Sequence, residues 1–444
     1  MTRYQEWNFD GLVGPTHNYA GLGSGNLASQ ASRSQTSRPR DAALEGLAKM
    51  KKVAELGVPQ AILPPQRRPH LGYLRSCGYG DTPAELLKNA ADNREAGARD
   101  LAIASSASAM WAANAATVSP SPDTRDGRCH FTIANLVSNR HRALESYERL
   151  RVFQHLFADE KHFAVHPPLP ATMPDEGAAN HTRLARFYHE VGLEIFVYGR
   201  QLGQTRVGKF PPRQLLEASQ QIAEQHGLSF SNTLFIEQSD AARDAGVFHN
   251  DVISVGNEYA LLTHELAFRD PSALDQIREA AQQRVSVLDL PQHVMVVSEE
   301  ELPTDDAVRT YLFNSQLLSL PEGGMALIYP AECDESEAAK AVINRLLREN
   351  SPIDKAMVAG VRQSMKDGGG PACRRLRVLL SDAEKQAVRG NVFWTPELHE
   401  TLTRWVERHY REQLTPDDLG DVALYEESEA ALDELRDILD LPVI

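Results

Sequence analysis

The segment Asp367-Gly368-Gly369-Gly370-Pro371-Ala372-Cys373 sets one cysteine after three glycines and a proline, directly before the strand-like run Leu376-Arg377-Val378-Leu379-Leu380. Glycine accepts positive φ and lets a ligand approach the main chain, while proline fixes the next φ, so such a loop is shaped yet open enough to present a thiol. The competing reading is a buried, inert side chain, because free cysteine is among the residues most often found inside proteins. A thiol with a pKa of roughly 8.5 is mostly protonated at neutral pH and needs a histidine to make or stabilise thiolate. Of the 15 histidines, His249 stands out. The stretch Gly246-Val247-Phe248-His249-Asn250-Asp251 precedes the apolar run Val252-Ile253-Ser254-Val255, so imidazole and carboxylate, two residues apart, are expected on one side of an extended segment. The alternative for His249 is a purely structural hydrogen bond.

Two further stretches have the residue types of a binding site. Asp175-Glu176-Gly177-Ala178-Ala179-Asn180-His181 offers a carboxylate pair beside small residues, able to orient a histidine or hold a cationic substrate; its plain alternative is an acidic helix start. The N-terminal stretch from Asn8-Phe9-Asp10-Gly11 through Asn18 to Ser29 carries few bulky side chains, and its free N–H groups could wrap a carboxylate or phosphate, or form a simple surface loop. The His162 and His166 spacing, with His181 nearby, suggests a metal only on a helix. Phe163-Ala164-Val165 reads as strand and Pro167-Pro168 stops a helix, so no metal is expected.

The elements that must position these groups are short. Strand-length apolar runs recur at Ala61–Leu63, Leu101–Ala104, His130–Ile133, Phe163–Val165, Ile195–Tyr198, Leu234–Ile236, Val252–Val255, Val294–Val297, Ala326–Tyr329 and Arg377–Leu380. Helical patterns lie between them, among them Tyr147 to Phe157 and Leu215 to Gln225, the latter stopped by Gly227. The alternation predicts an α/β chain. A hairpin-like pairing of Tyr311–Asn314 with Met325–Ile328 across Pro321-Glu322-Gly323-Gly324 adds antiparallel strands, so small mixed sheets fit better than a doubly wound parallel one. No Gly-x-Gly-x-x-Gly or Walker loop follows any strand, and no fixed-period repeat is legible. Asp417 to Leu439, acidic and leucine-rich, reads as a solvated amphipathic helix.

A chain of 444 residues suits three ordinary domains or one large one, and 42% hydrophobic with 24% charged residues is ordinary for a globular protein. Lysine plus arginine number 46 against 61 aspartate plus glutamate, and 46 − 61 = −15 disfavours nucleic acid and anionic membranes as partners. An anionic substrate must then be held by locally gathered cations. No signal-peptide or membrane-length apolar run occurs, and four scattered cysteines without a CxxC pair suit a reducing compartment, so a cytoplasmic location is expected.

Taken in order, Asn8-Phe9-Asp10-Gly11-Leu12-Val13-Gly14, Met110-Trp111-Ala112-Ala113-Asn114-Ala115-Ala116-Thr117, Asp175 to His181, Gly246 to Asp251 and Gly368 to Cys373 resemble the N-succinylarginine dihydrolase family of the guanidine-modifying superfamily over nearly the whole chain. The resemblance implies a five-module, pseudo-symmetric β/α propeller of small mixed sheets around a central active site. It implies one catalytic domain over residues 1–444, with a C-terminal helical segment around 428–440. By the same resemblance Cys373 is the nucleophile, completed by His249 and Glu176. The implied substrate-binding residues are Ala20, Gly21, Leu22, Gly23, Ser24, Gly25, Asn26, Leu27, Ala28, Ser29, Asn114, His141, Arg142, Arg213, Asp251 and Asp367. Arg142 and Arg213 are the isolated cations that the charge balance demands.

The implied reaction hydrolyses N-succinyl-L-arginine with two waters to N-succinyl-L-ornithine, two ammonia and carbon dioxide, in arginine catabolism by the succinyltransferase route. No cofactor is implied, and the partner is a small dianionic guanidine bound by a homodimeric, cytoplasmic enzyme. The alternatives are a deiminase-type cysteine hydrolase of another guanidine substrate and a non-catalytic propeller scaffold. One position departs from the expected pattern: Asp367 stands where asparagine is expected, and an ionised carboxylate only accepts hydrogen bonds.

Overall fold

The computed structural model describes residues 3–204, 208–284, 293–348 and 351–442. Among them the strands are β1 (Tyr4–Gly11), β2 (Gln60–Leu63), β3 (Ala116–Ser119), β4 (Cys129–Ile133), β5 (Phe163–His166), β6 (His181–Leu184), β7 (Leu193–Tyr198), β8 (Thr233–Glu237), β9 (Ser254–Asn257), β10 (Ala260–His264), β11 (His293–Val297), β12 (Gln316–Ser319), β13 (Met325–Pro330), β14 (Ile353–Ala359) and β15 (Arg375–Ser381). They form five three-stranded sheets, ordered β15-β1-β2, β3-β4-β5, β6-β7-β8, β9-β10-β11 and β12-β13-β14. In every sheet the first pair is antiparallel and the second parallel. A parallel neighbour needs a crossover, and in each sheet a helix of ten or more residues lies between its second and third strands: Pro39–Glu55, Ser146–Leu156, Leu216–Gln225, Ala273–Arg284 and Glu337–Arg348, the first two preceded by the short helices Leu27–Ala31 and Arg140–Ala143. The same unit therefore occurs five times, and the chain ends meet where β15 pairs with β1.

The helices cover the sheets through one apolar stripe. Glu337–Arg348 buries Ala339, Val342, Ile343 and Leu346, the i, i+3, i+4, i+7 set of a single face. The C-terminal helix Val422–Leu439 starts earlier than 428 and is only half solvated. It buries Leu424, Ala431, Leu432, Leu435 and Leu439 and accepts a 2.9 Å bond from Trp405 Nε1 at the Ala431 carbonyl.

Three local expectations are corrected. Leu101–Ala104 lies in the helix Ala96–Ala104, because alanine, arginine and leucine are good helix formers and the run is too short to fix a strand by periodicity. Tyr311–Asn314 is not strand: Tyr311 adopts φ 53° and Leu312–Asn314 form a single 3-10 turn, so the hairpin begins at Gln316. Val252 also belongs to a 3-10 turn, Asn250–Val252, and the strand begins at Ser254. Among the described residues no helix is long and apolar enough to cross a membrane.

Candidate active site

Each sheet is entered through a short irregular segment just before its first strand. Ala112–Asn114 precedes β3, Glu176 and the turn Gly177–Asn180 precede β6, Asn250–Val252 precedes β9, Leu312–Asn314 precedes β12, and Cys373 precedes β15. These five entries touch in a closed circuit, turn to turn from Ala112–Asn114 to Leu312–Asn314 and back through Cys373. The Cys373 carbonyl accepts from Ala113 N at 3.1 Å, and Cys373 N donates to Asn314 Oδ1 at 3.2 Å. Residues 114, 176, 249, 314 and 373 thus converge because each lies in the entry to a sheet: Asn114, Asn314 and Cys373 stand two residues before their strands, and Glu176 and His249 stand five before theirs.

The glycine loop explains itself by contact. Gly368, at φ 99°, ends the helix Arg362–Asp367, and its carbonyl accepts from Asn26 Nδ2 at 2.8 Å. A Cβ on Gly369 would lie 2.3 Å from Trp111 Nε1, and one on Gly370 would lie 2.7 Å from Asn314 Oδ1. The loop is held against the entries of two other sheets at distances only glycine permits. Arg374, buried beside the cysteine, donates to the Gly11 carbonyl at 3.0 Å and ties the loop to β1.

Around the thiol, Cys373 Sγ accepts from Asn314 Nδ2 at 3.2 Å and donates to Asp251 Oδ2 at 3.4 Å. Burial and the Asp251 charge push the Cys373 thiol well above its ordinary pKa. Burial would also raise Glu176, but its bond to His249 and the Arg213 and Arg142 charges hold it at about 2. Burial lowers His249, against the opposing pull of Glu176. The pair is best described as ionised carboxylate and neutral imidazole, with His249 Nε2–H donating to Glu176 Oε2 at 2.7 Å. Nε2 also lies 3.3 Å from Arg213 Nη1, but it cannot accept there while it carries that proton. His249 Nδ1 has no protein partner and is the nitrogen free to take or give a proton.

Cys373 and His249 line one and the same cavity. Its walls include Asn114, His141, Arg142, Arg213 and Asp367, with Ala20, Gly21, Leu22, Gly23, Asn26 and Ser29 from the N-terminal stretch. Arg213 donates to the Ser24 carbonyl. Gly25, Leu27 and Ala28 do not line the cavity; Gly25 faces the Phe210 ring instead. Glu176 stands behind His249 and is not on the wall either. A larger cavity of about 940 Å3 lies across the same wall, lined by Ala113, Ala178, Asn250, Asp251 and Ala372, the chain neighbours of the first set. Of these two cavities only the smaller is lined by both the thiol and the imidazole. His249 and Asp251, expected on one side of a strand, line different cavities: Asp251 lies within the 3-10 turn Asn250–Val252 that His249 caps, so the extended alternation does not apply to them.

The two arginines are not isolated. Arg142 donates Nε to Glu145 Oε1 at 2.6 Å and Nη1 to Asn114 Oδ1 at 3.2 Å, and its guanidinium lies 5.3 Å over the Trp111 ring. Arg213 lies 3.8 Å from Glu176 Oε2 and 4.8 Å over Phe248. Both are pre-set by these partners, which keeps their forks oriented toward an anion. Sequence reasoning missed Asn314, Trp111 and Glu145. Trp111 sat in a quoted motif, and its indole N–H lines the cavity without a partner; Asn314 was hidden in a segment read as strand. Burial raises Asp367 well above the carboxylate range despite the Arg142 charge, which favours the neutral acid, a donor like asparagine.

A family model described as succinylarginine dihydrolase matches residues 3–444. The chain belongs to the succinylarginine dihydrolase family. Proteins named N-succinylarginine dihydrolase from Chromohalobacter salexigens and Pseudomonas syringae pv. syringae are 52% and 49% identical to it, each match covering 99% of this chain and 98% of the relative. One from Burkholderia orbicola is 50% identical over 98% of this chain and 97% of its own length. Among solved structures, the N-terminal domain of ArgZ, covalently bound to a reaction intermediate, aligns with a TM-score of 0.51 at 13% identity, covering 84% of this chain and 98% of that one. That likeness extends the family's α/β fold to a distant neighbour.

Proposed function

We propose that the protein hydrolyses N-succinyl-L-arginine to N-succinyl-L-ornithine, two ammonia and carbon dioxide, with Cys373 as nucleophile. The observation that carries this reading is the single cavity in which the Cys373 thiol and the His249 imidazole face Arg142 and Arg213. Free arginine, with one carboxylate, would leave one of these cationic forks without a partner and agmatine, with none, would leave both, whereas the succinyl and α-carboxylates of succinylarginine engage both. Asp367, as a neutral acid, adds a donor on the same wall.

In the resting site the thiol is protonated and the imidazole neutral. A guanidinium cation entering beside Sγ offsets the burial and the Asp251 charge that hold the proton on sulfur. The proton passes to His249 Nδ1, and sulfur bonds to the central guanidinium carbon. His249 returns the proton to the departing ammonia as the C–N bond breaks. A water gives a proton to the same nitrogen, adds to the carbon and releases the thiol, leaving a ureido product. A second round breaks another C–N bond, expels ammonia and leaves a carbamate, which loses carbon dioxide to give the amine. Asp251, 3.4 Å from Sγ, is the carboxylate nearest the incoming cation, while Glu176 keeps Nε2 protonated so that Nδ1 does the exchange.

The closed circuit of contacts among the sheet entries supports a β/α propeller of five modules about this centre. The family resemblance supports a homodimer in the cytoplasm. The deciding experiment is ammonia stoichiometry on succinylarginine: two ammonia per succinylornithine is expected, and one ammonia with accumulating ureido product would make the protein a deiminase.

A further inference from the structure

Away from the thiol, the structure assembles three histidines that the reaction does not use. His166 ends β5, His130 lies on the neighbouring strand β4, and His226 caps the helix Leu216–Gln225. The sequence pattern had grouped His166 with His162 and His181, but His181 is bonded to Glu194 at 2.6 Å. Instead, the rings of His130, His166 and His226 pack with centroids 5.1, 5.3 and 5.5 Å apart. One nitrogen from each can be chosen so that all three lie within 4.8 Å of one another.

The tautomers are set from outside the cluster. His130 Nε2 lies 2.9 Å from Asp126 Oδ1, and Arg128 donates to Oδ2 of the same carboxylate at 2.9 and 2.8 Å. An ionised carboxylate only accepts, so the His130 proton sits on Nε2 and the Nδ1 lone pair points inward, 3.0 Å from His166 Nε2. A histidine whose outer N–H is held by a carboxylate is the usual arrangement behind a metal ligand. His226 is held between two hydroxyls, Nδ1 to Ser119 Oγ and Nε2 to Thr132 Oγ1, both at 2.7 Å. The Thr132 hydroxyl has a second acceptor, Gln225 Oε1, at 3.4 Å. Turning to it frees Nε2, while Nδ1–H stays on Ser119.

We propose that His130, His166 and His226 form a three-imidazole site for a divalent d-block ion of the zinc type, fixing the sheet β3-β4-β5 to the helix that covers β6-β7-β8. Tetrahedral zinc with bonds of about 2.0–2.1 Å separates its nitrogens by roughly 3.4 Å, near the 3.0 Å between His130 Nδ1 and His166 Nε2 and below the 4.8 Å within which one nitrogen of each ring lies. A ligand set of imidazoles alone favours zinc, cobalt, nickel or copper over magnesium or calcium.

The test is titration of metal-stripped protein with Zn2+ by calorimetry and with Co2+ by absorption, in the parent and in His166→Ala and His226→Ala. One equivalent is expected, with tetrahedral cobalt bands in the visible and no thiolate charge-transfer band. Each variant should bind at least about a hundredfold more weakly, since a ligand is lost outright. Zinc should raise the Tm of the parent and leave that of the variants unchanged. No uptake by the parent at micromolar metal, uptake undiminished in both variants, or a thiolate band marking Cys77 or Cys373 as the ligand would each overturn the site. His166→Ala touches nothing in the catalytic cavity, so parent-level ammonia release shows that it has folded.

Discussion

At the scale of single residues, the site works by holding protons where burial puts them. Cys373→Ser is expected to bind succinylarginine with the parent's affinity and release no ammonia; calorimetry and an ammonia assay separate the two, and near-parent turnover would remove the thiol from the reaction. Asn314, bonded to both Sγ and the Asp251 carbonyl, positions the sulfur. Asn314→Ala should lower kcat by about 10- to 100-fold with a smaller change in KM, as expected when a group that aims the nucleophile is lost. Asp367 gives a pH prediction. Its folded pKa is raised, so the folded protein binds a proton that the unfolded chain, with a value near ~3.9, releases earlier. Stability from this residue is fully present below the unfolded value and is lost as pH rises through the folded one. Asp367→Asn removes that loss. The Tm of the variant should match the parent in acid and exceed it near neutrality, and kcat/KM at neutral pH should stay within about threefold of the parent, because a neutral acid and an amide both donate.

At the scale of elements, the nucleophile loop and the sheet entries act as one piece. Gly369 faces the Trp111 indole and Gly370 faces Asn314, so the loop is clamped between the sheet entries of two other units. Gly369→Ala puts a Cβ 2.3 Å from Trp111 Nε1, which must move the indole and with it the stacked Arg142. Activity on succinylarginine should fall at least about tenfold through KM, since a misplaced arginine fork weakens carboxylate binding, while the far-ultraviolet circular dichroism stays that of the parent. An unchanged KM would separate Trp111 from substrate binding. The motif around the cysteine was legible because glycine, proline and a thiol are rare neighbours. The turn carrying Asn314 was not, since Leu312-Phe313 looks like strand until its 3-10 geometry and the left-handed Tyr311 are seen.

At the scale of the molecule, the site sits on buried charge as well as apolar packing. Lys49, from the helix Pro39–Glu55, pairs with Asp10 of β1, and both side chains are 1% exposed. Burial lowers Lys49 to about 8, with Asp10 opposing the shift. Breaking such a pair leaves one charge stranded, so Lys49→Met should cost about 3–5 kcal/mol in urea unfolding, whereas replacing both partners by apolar residues should cost much less. The pair stands beside Arg374 and Arg375, so its loss should also loosen the Cys373 loop.

The sequence by itself determined the chemistry-bearing motifs, the α/β class, most strand positions and the family, because these depend on local residue type and short-range spacing. It could not show the repeat, since the five units share geometry and not residues, nor that 114, 176, 249, 314 and 373 all lie in the entries to the five sheets. Protonation was also beyond it. Whether Asp367 is a donor, whether Cys373 rests as thiol, and which nitrogen of His249 is free follow from burial and from partners far away along the chain, which only the tertiary structure brings together.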